Sequence, residues 1–172
     1  MMKVKKQMID KGCIFSECRK YRYVLKRIWI PKKGFVVFVC LNPSTADENF
    51  DDNTVVRCIG YASSWGYGGM IMLNLFGYIS TDRSVLQDVY DPIGPDNDKH
   101  IQEWSQNAGL TVAAWGNDGA LMNRGINVMK MLKEPHYLAL TKNNHPWHPL
   151  YLKKDLKPIK FYNSKIWNPS DV

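Results

Sequence analysis

Four polar segments of the sequence follow apolar runs and carry side chains suited to binding a small planar ligand. They begin at Asn42, Asn74, Trp115 and Thr141, and each contains an amide or imidazole group. Such groups donate and accept hydrogen bonds, as the recognition of a planar heteroatom edge requires. The side chains predicted to bind the ligand are Pro43, Ser44, Thr45, Asn74, Asn117, Lys142 and His145.

The apolar runs predict the strands that position these segments. Residues 35–41, 70–76, 111–115 and 136–140 are almost continuously apolar, which is typical of strands buried on both faces of a parallel sheet. Residues 21–30 alternate only partly and end before Pro31, which predicts a strand near the sheet edge.

Helices are predicted between these strands. Apolar spacing and capping residues favour helices from Asn53 or Thr54 to Trp65, from Asp96 or Asn97 to about Gln106, and from Ala120 to Lys133. The alternation of strand and helix predicts an α/β fold, a three-layer sandwich with a mostly parallel four-stranded sheet. Ligands of such sheets bind beyond the carboxyl ends of the strands, where the four polar segments lie.

The length of the chain, 172 residues, predicts a single domain. Within it we distinguish a basic N-terminal segment with an edge strand (residues 1–33), an α/β core (34–150) and a basic irregular tail (151–172). The composition, 45% hydrophobic and 23% charged, disfavours disorder and repeats. The chain lacks both common Gly-rich phosphate loops, which disfavours a nucleoside-triphosphate or dinucleotide fold.

The net charge of +7 is unevenly distributed along the chain. Residues 1–33 carry +9 and residues 151–172 carry +3, whereas residues 34–150 carry −5. One interpretation is a basic rim that attracts a polyanion toward a more selective centre. The alternative is a pair of solvated, Lys-rich ends that aid solubility.

The four cysteines, Cys13, Cys18, Cys40 and Cys58, are too few and too unevenly spaced for a disulfide framework. Free thiols in a reducing compartment are the favoured interpretation, since the spacing of Cys13 and Cys18 matches no common zinc pairing. We therefore predict no metal and no cofactor. The N-terminus lacks the apolar run of a secretory signal, and no stretch approaches the about 20 apolar residues of a membrane span. The expectation is a cytoplasmic protein without a membrane partner.

Several of the strand-end segments resemble motifs of the uracil-DNA glycosylase superfamily. The Leu-Asn-Pro-Ser run at 41–44 resembles its first active-site motif, and Leu-Asn-Leu at 73–75 resembles its base-reading segment. Residues 112–116 resemble its third-strand segment, and His-Pro-Trp-His-Pro-Leu at 145–150 resembles its closing loop. The run from Asn42 through Arg57 to Tyr151 is still more similar to an uncharacterised bacterial and phage family, domain of unknown function number 1643.

The glycosylase resemblance implies a role for each matching residue. Asn42 would orient an attacking water, Asn74 would pair with the edge of the base, and His148 or His145 would donate to the departing base. Because an amide is not a useful base, Asp47 or Asp52 would supply the carboxylate. These roles make Asn42, Asp47, Asp52 and His148 the predicted catalytic residues.

Some of these residues also have plain structural interpretations. Asn42 before a proline can shape a turn, and Asp52 can favour a helix N-terminus. Arg57 either pairs with the acidic loop or binds a phosphate. Ser44 stands where the uracil-specific branch has an aromatic residue, and the closing loop lacks the serine that would contact phosphate.

Taken together, the residues and the resemblance predict a protein that recognises a nucleobase or nucleotide and acts on nucleic acid, with base excision or base modification as the reaction. The alternative is a non-catalytic nucleotide or modified-base binder, such as a sensor or a ligand-sequestering phage protein. A protein-interaction module is disfavoured because it leaves Asn74 without a role. The oligomeric state is not predicted.

Overall fold

A computed structural model describes residues 7–170 of the chain. Residues 1–6, which include part of the basic N-terminal segment and of the stretch compared with a secretory signal, lie outside the described residues, as do residues 171–172. The described strands are β1 (Asp10–Phe15), β2 (Arg22–Ile28), β3 (Val36–Cys40), β4 (Gly69–Asn74), β5 (Leu110–Ala113), β6 (His136–Tyr137) and β7 (Ile159–Lys160). The described α-helices are α1 (Asn53–Ser64), α2 (Asn97–Asn107) and α3 (Arg124–Met129).

Within residues 7–170 the strands form one mixed sheet of seven, in the order β1-β2-β4-β3-β5-β6-β7. Strands β4, β3, β5 and β6 pair in parallel, whereas β1, β2 and β7 pair antiparallel with their neighbours. The prediction of an α/β fold is confirmed. The sheet is larger and more mixed than the four-stranded, mostly parallel sheet that the sequence predicts, because β1, β2 and β7 extend its two edges.

Helices cover both faces of this sheet. Alternate residues of β3 and β4 enter two apolar clusters, so Val37 and Val39 face one side while Val36 and Phe38 face the other. The first cluster includes residues of α2 and α3, and the second includes residues of α1. Every residue of β3 and of β4 is buried, which explains their continuous apolar sequence.

Three boundaries differ from the sequence prediction. Helix α1 is capped by Asp52, whose carboxylate accepts from the Val55 N–H at 2.9 Å, rather than by Asn53 or Thr54. The helix predicted from Ala120 begins at Arg124, because Met122 and Asn123 adopt φ of 53° and 54° and end a 3-10 turn there.

The third difference concerns short strands near the sheet edges. β6 has two residues instead of the predicted five, β1 is a strand of the basic N-terminal segment that the sequence does not predict, and β7 lies in the tail predicted to be irregular. Across the part of the chain that the structure describes, no helix combines the length and apolarity that crossing a bilayer would need.

Candidate active site

A cavity of about 870 Å³ opens at the carboxyl ends of β3, β4 and β5, next to the N-terminus of α1. Six predicted site residues line it: Asn42, Ser44, Asp52, Asn74, Asn117 and His148. Six others do not: Pro43, Thr45, Asp47, Arg57, Lys142 and His145. The parallel pairing of the three strands accounts for this convergence, since it brings their polar ends to one edge of the sheet.

Asn74 is the last residue of β4, and its side chain lies in the buried part of the cavity wall. It is only 1% exposed, yet neither its Nδ2 nor its Oδ1 has a hydrogen-bond partner within residues 7–170. Its backbone is fixed, because the Asn97 amide donates to the carbonyl oxygens of Asn74 and Leu75 at 2.9 and 3.1 Å. Buried amides are normally paired, so the open donor and acceptor of Asn74 are suited to a ligand edge that offers one of each.

Arg22, at the start of β2, lines the same cavity and was not predicted from the sequence. It is 2% exposed; its Nη1 donates to the Ala46 carbonyl at 2.5 Å, and its Nη2 faces only the Met72 thioether at 3.8 Å. Its Nε has no hydrogen-bond partner within residues 7–170. Burial lowers the pKa of the Arg22 guanidinium, and nearby Cys13 and Asp52 partly oppose that shift.

The loop after β3 brings Asn42 to the cavity with its amide already oriented. Asn42 Nδ2 donates to the carbonyl oxygens of Pro43 and Ser80, at 3.0 and 2.9 Å. With both bonds made by the nitrogen, the amide oxygen is the group that remains to accept a hydrogen bond. An oriented amide oxygen can hold a water molecule in place but cannot deprotonate it.

Of the two candidate carboxylates, only Asp52 reaches the cavity. One of its oxygens caps α1, and within residues 7–170 the other makes no salt bridge, so it can accept a proton or a hydrogen bond. Asp47 instead accepts from the backbone N–H groups of Asn49 and Phe50, at 2.7 and 2.8 Å, and these bonds lower the pKa of its carboxyl. Asp47 therefore shapes the loop, as an Asx turn does.

His148 lines the cavity from the closing segment, just before a 3-10 turn (Pro149–Tyr151). Burial lowers the pKa of its imidazole to about 4, against a smaller opposing effect of Asp52. The ring is therefore neutral at pH 7. Its Nδ1 accepts from the Leu150 N–H at 3.3 Å, so the single ring proton belongs on Nε2. His148 is a neutral N–H donor rather than an acid in the usual sense.

Arg57 holds this closing segment from α1. It donates to the carbonyl oxygens of Pro149 and Leu152, while the Tyr61 hydroxyl donates to the carbonyl of Lys153. Its Nη1 therefore holds the backbone of the segment that follows His148. Arg57 forms no salt bridge with the acidic loop within residues 7–170, and phosphate binding by Arg57 stays a prediction.

The remaining predicted residues lie on or outside the rim. Asn117 is exposed and accepts from the Thr141 hydroxyl at 2.6 Å, which joins the loops after β5 and β6. Lys142 is exposed next to this pair. His145 is buried and does not line the cavity; its ring centroid lies 5.9 Å from that of Trp167 in an edge-on contact, and burial lowers its imidazole pKa.

The rim also contains residues that no sequence signal indicated. Ser80, Thr81, Asp82 and Arg83 line the cavity from the long loop after β4. Arg83 forms a salt bridge with Asp118 at 2.8 Å, so this loop is linked to the one after β5. Within residues 7–170, no three His, Cys, Asp or Glu side chains come together as a metal site would require.

Comparison with protein families gives one match. Residues 22–150 match the family described as Protein of unknown function (DUF1643), which spans most of the chain. The chain belongs to this family, as the sequence motifs predict. No curated protein matches the chain. No solved structure matches it either.

Proposed function

We propose that the cavity recognises a nucleobase and that the protein cleaves N-glycosidic bonds in DNA, as a uracil-DNA-glycosylase-like enzyme. The observation that carries the proposal is Asn74, a buried cavity-lining residue whose amide donor and acceptor both have no hydrogen-bond partner in the part of the chain that the structure describes. A nucleobase offers a matching acceptor and donor on one planar edge. The sequence resemblance at residues 41–44 and 145–150 supports the same assignment.

In the proposed reaction, water adds to the anomeric carbon while the bond to the base nitrogen breaks. Asn42 positions the water through its amide oxygen, and Asp52 takes the proton that the water loses. The electron pair of the broken bond leaves with the base. The neutral His148 Nε2–H stabilises the negative charge that develops there, and this requires a preorganised donor rather than proton transfer.

Cleavage of base-modified DNA tests the proposal. Single- and double-stranded oligonucleotides bearing uracil, hypoxanthine or modified pyrimidines would be incubated with the protein, and abasic sites would be cut with alkali. We expect cutting of at least one substrate and its loss in Asn42→Ala and His148→Ala. The matched control is His136→Ala, since this half-buried histidine lies outside the cavity.

A non-catalytic binder of a free nucleotide or modified base is the second candidate, and the charge of the cavity favours it. The lining contains three aspartates and two arginines, so its charges nearly cancel and give a polyanion little attraction. For a binder, no oligonucleotide would be cut, and a free nucleotide or nucleoside would raise the melting temperature. Asn74→Ala would abolish that rise while leaving the protein folded.

A further inference from the structure

The two buried arginines of β2 bind the same loop but differ in how completely they are paired. Arg27 is fully buried and donates through Nε to Asp51 at 2.6 Å, through Nη1 to the Lys26 carbonyl and through Nη2 to the Asp47 carbonyl. Every nitrogen of Arg27 therefore has an oxygen partner. Arg27 does not line the cavity, and its pairing accounts for it as a structural residue.

Arg22 lines the cavity, unlike Arg27, and is less completely paired. It forms no salt bridge within residues 7–170, and only its Nη1 donates to an oxygen. Among the described residues, the only hydrogen-bond partner of the Nε–Nη2 edge of the guanidinium is one thioether sulfur. The carboxylate of Asp52 lies near enough to favour the charged form of Arg22, but it forms no salt bridge with Arg22 within residues 7–170. A buried cation without a paired anion is costly, and an anion carried by the ligand would reduce that cost.

The position of Arg22 relates this open edge to Asn74. Its Nη2 contacts Met72, which lies two residues before Asn74 on β4 and therefore on the same face of the sheet. Cys40, the β3 partner of Asn74, also lines the cavity. The open edge of Arg22 and the open amide of Asn74 thus belong to one wall.

We infer that Arg22 forms an oxyanion-binding subsite, and that the ligand of this cavity carries a carboxylate or phosphate beside the planar edge read by Asn74. Two adjacent acceptor oxygens match the Nε–Nη2 edge, which lysine could not reproduce. The planar ring in this inference rests on the proposed function. The anionic group is argued from Arg22 alone. Two kinds of ligand would supply such an oxyanion: a base that carries a carboxylate, or a nucleotide that carries a phosphate.

Binding calorimetry with matched ligands tests the subsite. Uracil is compared with orotate, and uridine with its 5′-monophosphate, with inorganic phosphate as a ring-free probe. We expect one of the two anionic ligands to bind about 10- to 100-fold more tightly than its neutral partner, as charged hydrogen bonds in a desolvated site do. Preference for orotate identifies a base carboxylate, and preference for the monophosphate identifies a nucleotide phosphate.

Variants separate this role from a structural one. Arg22→Met and Arg22→Lys should both abolish the preference for the anionic ligand while the neutral ligand binds as before. Arg27→Met, the matched control, should lower the melting temperature and leave the preference unchanged.

The outcomes also separate this inference from the proposed function. Equal binding of neutral and anionic ligands, lost in Asn74→Ala, supports base recognition and overturns the subsite. Arg22-dependent binding of phosphate without binding of any ring supports the subsite and contradicts base recognition. No binding of any of the five probes overturns the subsite.

Discussion

Replacing Asn74 by leucine should stabilise the unliganded protein, because this residue is buried without partners. Asn74 is 1% exposed, and neither its amide nitrogen nor its amide oxygen forms a hydrogen bond with any residue from 7 to 170. An unpaired buried polar group costs about 1–3 kcal/mol, although water in a cavity of about 870 Å³ can offset part of that cost. Leucine has the same branching and the same number of side-chain heavy atoms as asparagine, so the replacement causes little overpacking.

We therefore expect Asn74→Leu to raise the free energy of unfolding by about 1 kcal/mol. In a chain of this length that gain corresponds to about 2–4 °C in melting temperature. Urea denaturation followed by tryptophan fluorescence measures it, and ligand binding should be lost in the same variant. Higher stability together with lost binding is what we expect when a residue serves ligand binding at the expense of stability.

Asn97→Leu is the matched control for this experiment. Asn97 is equally buried, but its amide donates to the carbonyl oxygens of Asn74 and Leu75. Its replacement should lower the free energy of unfolding by about 1–3 kcal/mol. If Asn74→Leu destabilises the protein as much as Asn97→Leu does, the amide of Asn74 is structural and the reasoning is refuted.

Three further predictions concern His148, Asp52 and the N-terminus. The folded-state pKa of His148, about 4, lies below the ordinary 6.5, so the unfolded chain protonates first and stability falls between pH 6.5 and 4. That loss, at most about 3 kcal/mol, should shrink in His148→Gln when the urea midpoints of both proteins are compared across this range. Asp52→Asn should abolish cleavage but keep the α1 cap and the melting temperature of the protein. Asp52→Ala should abolish cleavage and also lower the free energy of unfolding by about 1 kcal/mol. Deleting residues 1–6, which contain three lysines, should flatten the salt dependence of DNA binding, and an unchanged slope would assign these lysines to solubility.

The sequence predicts the cavity well where it depends on strand ends. Asn42 and Asn74 follow buried apolar runs, and parallel strands bring such positions together whatever the details of the loops. His148 was predicted from a motif rather than from periodicity. The neutral state of its ring depends on burial and on the Leu150 N–H, neither of which can be read from residue order.

Other assignments depend on how a loop turns, which spacing alone does not give. Asp47 and Asp52 are equally plausible carboxylates in the sequence, yet Asp47 turns back onto its own backbone while Asp52 caps α1. Arg22 was missed because a charged residue at the start of an edge-like strand is normally exposed. Here β1 pairs with the outer side of β2, so β2 is an inner strand of the sheet and Arg22 is buried.

The contrast between paired and unpaired buried groups separates the candidate site from its supporting structure. Arg27 and Arg124 are as deeply buried as Arg22, and each pairs with a carboxylate, Asp51 and Asp98 respectively. The fold thus has the means to neutralise buried cations and does so where they hold loops in place. That it leaves Arg22 and Asn74 open on one cavity wall is hard to explain by folding, since both would be cheaper as apolar residues. Selection for what enters the cavity explains both.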